Sequence, residues 1–272
     1  MAQTVLVSFS LTIRLNRPSD FFSIVRQQLL PQSLGINYLP VACIIGGAVI
    51  SKELYERQLR LAHSCHLAFG EDCRFATLIG SIAEDKQTAW YYWVVNWIDE
   101  DVATADNWLK SASAEERLDL AKKKCAGIDP SLLEVLEATQ PQGMEVYIPV
   151  RDLLPSAIPE GRITLLGDAF HPMTFFKGEG GNHAMQDALD LGKLLQEDAF
   201  ARHHLYSRQK AADWVQLLTK YCEKTLPRGK EAVLSNREAA LERSRGSRGR
   251  PVGNTYPTMS TEVATTLANS KS

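Results

Sequence analysis

The chain has 272 residues, 30 basic against 32 acidic side chains and an apolar fraction of 44%. That suffices to bury a core in one large or two small domains, and a net charge of -2 excludes the strong basic field that draws nucleic acid or anionic membrane. No run approaches the roughly 18 apolar residues of a membrane-spanning helix; five cysteines without a C-x-x-C pair (Cys43, Cys65, Cys73, Cys125, Cys222) suit reduced, buried thiols of a cytoplasmic protein better than disulfides or a zinc site.

In chain order, residues 4–15 are β-prone until Asn16, Arg17 and Pro18 break the run. Lacking a basic leader, this stretch is expected to be a strand or irregular lead-in and not a secretion signal. Residues 19–30 predict a short helix, capped by Ser19 or Asp20 and closed by Pro31. Residues 39–50, rich in Val and Ile, predict a strand with a bend or bulge at Gly46 and Gly47. A helix is expected over 51–62.

Residues 75–82 and 88–97 predict a hairpin with a polar turn. On its second strand Trp90, Tyr92 and Val94 face one way, and Tyr91, Trp93, Val95 and Trp97 the other. So aromatic a run predicts cover on both faces. Helices are expected over 114–125 and 130–139, and strands over 144–150 and 163–166. Residues 182–197 predict a long helix with an apolar stripe of Ala184, Met185, Ala188, Leu191, Leu194 and Leu195. Two further helices are expected over 214–225 and 230–243. From Ser244 the composition turns to Ser, Thr, Arg and Gly, which predicts a disordered tail over 244–272.

Residues 161–195, GRITLLGDAFHPMTFFKGEGGNHAMQDALDLGKLL, carry the functional argument. The short apolar run 163–166 is of the kind found in buried parallel strands. Gly167 ends it and Asp168 stands just past its carboxyl end, where open α/β sheets bind ligands. A carboxylate there accepts hydrogen bonds from sugar or ribityl hydroxyls. A loop with Pro172, Gly178, Gly180 and Gly181 follows, and glycine lets a backbone approach a flat ligand closely. Asn182 is placed to cap the long helix. The N–H groups and positive dipole end around Gly181, Asn182 and His183 then form an anion site.

This stretch closely resembles the G-D motif of FAD-dependent group A hydroxylases of the p-hydroxybenzoate hydroxylase type, which reads roughly GDAAHPMTPFxGEGANxAxxDAxxL. The resemblance implies that Asp168 binds the FAD ribityl chain and that Gly180, Gly181 and Asn182 lie by the isoalloxazine ring. Gly167, His171, Pro172 and Arg162 also fall on motif positions. Upstream, residues 23–150 are similar in pattern to the family's substrate domain, and Leu61-Ala62-His63-Ser64-Cys65 and Tyr91-Tyr92-Trp93 look like fungal members. The expected architecture is α/β with α+β character: an incomplete FAD-binding sheet over 151–243, joined to a mostly antiparallel substrate-type domain over 23–150.

Three features depart from the family pattern. No G-x-G-x-x-G follows an opening strand, and Gly46-Gly47 has the wrong spacing to replace it. Ser23-Ile24-Val25-Arg26 matches the tail of the family's D-G motif, but Ser19-Asp20 stands where Asp-Gly is expected. The resemblance therefore begins near Ser23, residues 1–22 are expected to be an unrelated lead-in, and the N-terminal half of a typical member is expected to be absent. The strand 163–166 is then left with an open edge and an uncovered face. Third, Phe170 and Phe175 replace a small residue and a proline.

The family likeness implies NAD(P)H-dependent hydroxylation or epoxidation of an aromatic, polyketide or terpenoid-like small molecule, in fungal secondary metabolism. The alternative from another class is a non-catalytic remnant or accessory protein without stable FAD binding; a halogenase or oxidase is a weaker one. No catalytic residue is assigned, because the flavin itself performs the oxygen chemistry: His171 and His183 are read as loop and helix-turn residues. Trp90 to Trp97 are read as sheet core, with one or two lining a substrate pocket. His63, Cys65 and His66 lack partners for a metal site, and Arg243, Arg245, Arg248 and Arg250 are read as a solvated tail.

Overall fold

We describe the chain from a computed structural model, which describes residues 6–10, 23–31, 35–159, 161–201 and 210–247. The remaining lead-in residues and the tail from 248 onward lie outside the described residues.

The opening strand β1 (Leu6–Ser10) is followed by helix α1 (Ile24–Leu29) and a two-residue strand β2 (Asn37–Tyr38). The cap of α1 is Ser23, whose hydroxyl accepts from Arg26 N, so the helix starts later than the sequence suggested. Strand β3 (Val41–Ser51) leads into helix α2 (Lys52–Leu61), then β4 (Cys65–Phe69), β5 (Cys73–Ile82) and β6 (Thr88–Ile98). These four long strands form an antiparallel sheet in the order β3-β6-β5-β4. The edge strand β4 was not anticipated, because residues 65–69 show no apolar alternation.

Helices α3 (Trp108–Ser111), α4 (Ala114–Cys125) and α5 (Pro130–Ala138) follow. Helix α4 opens with a reciprocal capping box between Ser113 and Glu116. Helix α5 opens on Asp129, with Pro130 in its first turn. With α2, they bring apolar sides to one face of the sheet: Tyr55, Leu109, Leu118 and Leu133 join Ile44, Phe75, Tyr91, Trp93 and Val95 in the main core.

Only that face is fully covered. The burial of β6 alternates strictly from Thr88 to Val95, one face buried and the other half-exposed. The expectation of cover on both faces therefore holds only toward the far end of β6, where Val94 and Ile98 pack beside Leu39, Cys43, Val150, Phe176 and Ala240. Nor does β3 bulge at its glycines. Its register with β6 is continuous from Val41 to Ser51, and Gly46 and Gly47 instead make room for tryptophans. A Cβ on Gly46 would lie 2.5 Å from Trp93 Cζ2, and one on Gly47 2.7 Å from Trp90 Cζ2. Residues 144–150 form no strand; only Met144 makes an isolated bridge, to Gly46.

The second unit is built on β8 (Ile163–Gly167), preceded by the two-residue strand β7 (Arg151–Asp152), which pairs with β2. Strand β1 lies parallel to β8, from Leu6 opposite Ile163 to Ser10 opposite Gly167. One edge expected to be open is thus occupied. The expected bare face is also covered. Helix α6 (Gly180–Ala201) and helix α7 (Lys210–Arg243) bury Leu166 among Leu191, Leu217, Leu218 and Tyr221. On the other side Leu165 meets Val25 and Leu29 of α1 together with Leu226.

Helix α7 merges the two helices expected over 214–225 and 230–243, despite Pro227 inside it. A mid-helix proline costs about 3 kcal/mol; buried Tyr221, Cys222, Thr225, Ala232 and Val233 on both sides of it hold the helix through. Residues 244–247, expected in the tail, are packed: Ser244 is buried and receives Asn96 Nδ2 at 2.6 Å, and Ser247 N reaches Gly70 O. All five cysteines are free, four of them buried, but Cys65 is exposed, against the expectation that each would be buried. No described helix is long and apolar enough to cross a membrane.

Candidate functional site

Strand β8 ends at Gly167, whose φ of 53° is in the left-handed region that favours glycine. The chain turns there, with Phe170 N and His171 N both donating to Gly167 O, and this turn presents Asp168. Its neighbours Gly167, Ala169, Phe170 and His171 are buried, while Asp168 itself is half-exposed. Phe170 points into the cluster with Leu165, Val25 and Leu29, so the bulky residue at a usually small position is core. Pro172 is buried and its carbonyl accepts from Leu153 N at 3.0 Å. Phe175 remains 40% exposed and stacks on buried Phe176 with centroids 4.8 Å apart.

The loop then enters α6 at Gly180, earlier than expected. His183 N already bonds to Glu179 O, so Asn182 lies in the first helical turn and is not the cap. It is exposed, while Gly180 and Gly181 are half-buried. Gly180 and Gly181 are the first two residues of the helix, so its first turn opens on residues without side chains. A Cβ on Gly180 would fall 3.9 Å from Asp168 Oδ1 and 4.0 Å from Met173 Cγ. Glycine leaves that space, in front of the carboxylate and at the positive end of the helix, unfilled. Met185 and Ala188, expected in the apolar stripe, are exposed; Ala184 and Leu191 are buried, together with two aspartates, Asp187 and Asp190.

Those aspartates are part of a charged network that pattern reading missed. Asp187 is 0% exposed. Its Oδ2 accepts from Gly167 N at 2.9 Å and from His171 Nε2 at 2.7 Å, and its Oδ1 from Arg228 at 2.6 Å. One carboxylate thus ties both ends of the turn that carries Asp168. Arg228 also reaches Asp190 at 2.5 Å, and Lys224 reaches Asp190 at 2.8 Å. Burial alone would push the Asp190 carboxyl up, but Lys224, Arg228 and Gln186 outweigh it and hold the group at about 2. Burial likewise opposes ionisation of Asp187, and His171, Gly167 N–H and Arg228 reverse it, leaving its pKa lowered.

On the opposite side Arg26, 2% exposed, donates to the carbonyls of Asp168 at 3.0 Å and Ala169 at 3.1 Å. Burial lowers its pKa, while the charge of Asp168 raises it. This arginine ends the Ser23-Ile24-Val25-Arg26 motif, which drew notice in the sequence without a role. Asp187 and Asp190 had a usable signal, acids on the buried side of a helix at spacings of three from Ala184. Arg228 had none, since only the packing of α7 brings it to α6.

His183, in the first turn of α6, meets His171 edge to face at 6.3 Å. Burial, then the neighbouring His171, lowers its pKa, so the imidazole is neutral near pH 7 at the positive end of the helix. Away from this site, His66 bonds to Leu132 O at 3.2 Å and His63 to Ser64 at 2.7 Å.

The site thus offers a half-exposed carboxylate as a hydroxyl acceptor beside the N–H groups of a helix start, which have no intrahelical partners. The unfilled space at Gly180 lies between them. This donor and acceptor set fits the polyhydroxyl chain and the anionic edge of a flavin. A profile of the FAD binding domain family matches residues 76–233. The chain is 33% identical over 225 residues to the FAD-dependent monooxygenase thnD of Trichoderma harzianum, covering 79% of this chain and 54% of that protein. Its fold is similar to 2,6-dihydroxypyridine-3-hydroxylase from Arthrobacter nicotinovorans, with a TM-score of 0.63, 16% identity and coverage of 85% of this chain and 57% of that one. It is also similar to Klebsiella pneumoniae HpxO, solved with FAD and uric acid, with a TM-score of 0.60, 18% identity and coverage of 92% and 53%. The chain spans about half the length of the proteins it matches.

Proposed function

The chain belongs to the FAD binding domain family of FAD-dependent monooxygenases, and from that premise we propose that it holds the ribityl and ring side of FAD for NAD(P)H-dependent oxygenation of an aromatic small molecule. The observation that carries the reading is the half-exposed Asp168 carboxylate facing the unfilled space at Gly180. In this reading Asp168 accepts hydrogen bonds from ribityl hydroxyls. The N–H groups at Gly180, Gly181 and Asn182 face the electron-rich edge of the ring, where a helix start favours negative charge. Asp187, His171, Arg228 and Arg26 hold the turn, and the buried run from Pro172 to Thr174 excludes water beneath it. When bound, FAD supplies the redox chemistry, taking electrons from NAD(P)H and activating O2. The likeness of residues 61–65 and 91–93 to fungal members is read here as a setting in fungal secondary metabolism, and the buried free cysteines suit the cytoplasm.

The test is a titration of the purified chain with FAD, followed by visible absorbance. We expect a saturable, ring-perturbed spectrum, and at least tenfold weaker binding in Asp168→Ala, since hydrogen bonds to a charged acceptor are worth about 1.5–3 kcal/mol each. If the wild-type chain leaves the flavin spectrum unchanged, it does not hold FAD by itself, and the accessory-protein reading replaces this one.

A further inference from the structure

Away from the G-D turn, the second face of the four-stranded sheet stays open at one end. Trp90 and Tyr92 of β6 are half-exposed there, and Val49, opposite Trp90 on β3, is 66% exposed. Trp90 does not stand off the sheet. A Cβ on Gly80 would lie 2.4 Å from its Cδ1, and one on Gly47 would lie 2.7 Å from its Cζ2. Gly80 belongs to β5 and Gly47 to β3, the two neighbours of β6. An indole that touches both must lie across three strands, its pyrrole edge on β5 and its benzo edge on β3. One π-face rests on the glycines and the other is turned outward.

Two features mark this as more than sheet packing. Pairing of β5 with β6 shifts register between Ile79 and Ser81, so the residue released from the ladder is the glycine beneath the indole; such irregularities re-aim side chains next to binding sites. Trp93, three residues along β6 on the covered face, shows what a core tryptophan looks like here: 0% exposed, with its N–H donated to Thr139 at 2.9 Å. Trp90 has the seat of a packed ring without the burial. Its row is also continuous with the candidate flavin site. Two steps along β6, Val94 packs in the cluster of Phe176, whose ring stacks on Phe175 in the loop between Asp168 and α6. At about 3.4 Å per residue, Trp90 stands roughly 14 Å along the strand from Val94.

We propose that the outward face of Trp90, bordered by Tyr92 and Val49, is a stacking platform for a planar, fused-ring aromatic small molecule. That this molecule is the substrate of the oxygenation rests on the flavin reading above; the binding itself does not. Offset stacking on an indole is favoured by ring quadrupoles beyond simple area burial.

The experiment is equilibrium dialysis of the full chain with 2-naphthoate, without flavin. Wild type is expected to bind saturably. Trp90→Leu and Gly80→Ala should each bind about tenfold more weakly: the first removes the ring and the second keeps it but lifts it off β5. Trp90→Phe should recover most of the affinity, and Trp108→Leu, at an exposed tryptophan elsewhere, should leave it unchanged. Circular dichroism melts check that each variant is folded, and Gly80→Ala carries the test if Trp90→Leu is not. Absence of saturable binding, wild-type affinity in Gly80→Ala, or an equal loss in Trp108→Leu would overturn the proposal. So would competitive displacement of naphthoate by FAD, which would assign the platform to the flavin ring. Failure of FAD to bind, with naphthoate binding intact and sensitive to Trp90, would sink the flavin reading and leave the platform standing.

Discussion

Asp187 is a fully buried carboxylate with three donors: a backbone amide, an imidazole and a guanidinium. Each donor comes from a different place: the end of β8, the turn after it and α7. A neutral asparagine of the same size cannot satisfy all three, because its amide N–H2 would face a donor. Asp187→Asn is therefore expected to cost about 3–5 kcal/mol, as when one partner of a buried ion pair is removed, read as a lower urea midpoint. It should also weaken flavin binding, since the turn carrying Asp168 loses its tether. Arg228→Lys should cost less than Arg228→Leu, because an ammonium keeps the charge but not the fork that reaches Asp187 and Asp190 together. Equal losses in the two variants would mean that charge alone matters there.

Among the elements, β3 and β6 show how a sequence signal can be seen and misread. Gly46 and Gly47 interrupt a Val- and Ile-rich strand, and glycine in a strand commonly marks a bulge. Here each makes room for an indole from the neighbouring strand, one on either face. At Gly47 a Cβ would also meet the backbone oxygen of Tyr91 at 2.6 Å, and at Gly46 the ring it would meet, Trp93, is 0% exposed and cannot withdraw. Gly46→Ala is expected to cost about 1–3 kcal/mol by overpacking, measurable by urea denaturation followed by tryptophan fluorescence. A change of less than a few tenths would show that the ring has room to move. Residues 144–150 misled in the other direction: they meet β3 at Gly46 and Ile45 but extend no ladder along it.

For the whole molecule, α7 is the long-range tie. It bonds to α6 through Arg228, to β7 through Arg237 and Asp152 at 2.7 Å, and to the G-D loop through Thr174 and Asn236 at 3.0 Å. Just past its end, Ser244 reaches Asn96 of the sheet. The acid response should follow from the network on α6 and α7. The carboxyls of Asp187 and Asp190 are lowered in the folded state, Asp190 to about 2, against an unfolded value near 3.9. The unfolded chain then binds more protons in that window, so their stabilisation is complete above about pH 4 and is lost as pH falls toward 2. Urea midpoints from pH 7 to 2 should stay level at first and then drop below pH 4, with a shallower drop in Asp190→Asn. An unchanged slope in that variant would remove Asp190 from the account.

The sequence by itself determined the elements with strong local signals and the place of the turn that carries Asp168. Helix α4 begins and ends where its capping box and periodicity put it, the β5–β6 hairpin matches its alternation, and Asp168 follows a buried strand because a short apolar run ending in Gly-Asp has few other fates. These are local rules, written in residues near one another in the chain. Tertiary structure alone decided what surrounds that site. Arg26 and Arg228 reach the turn from 142 residues before Asp168 and 41 residues after Asp187, which no window of periodicity spans. It also decided that β1 lies beside β8, that α7 passes through Pro227 and that Trp90 lies flat with one face outward. In each case the deciding energy is burial against a distant segment, and local propensity carries no record of it.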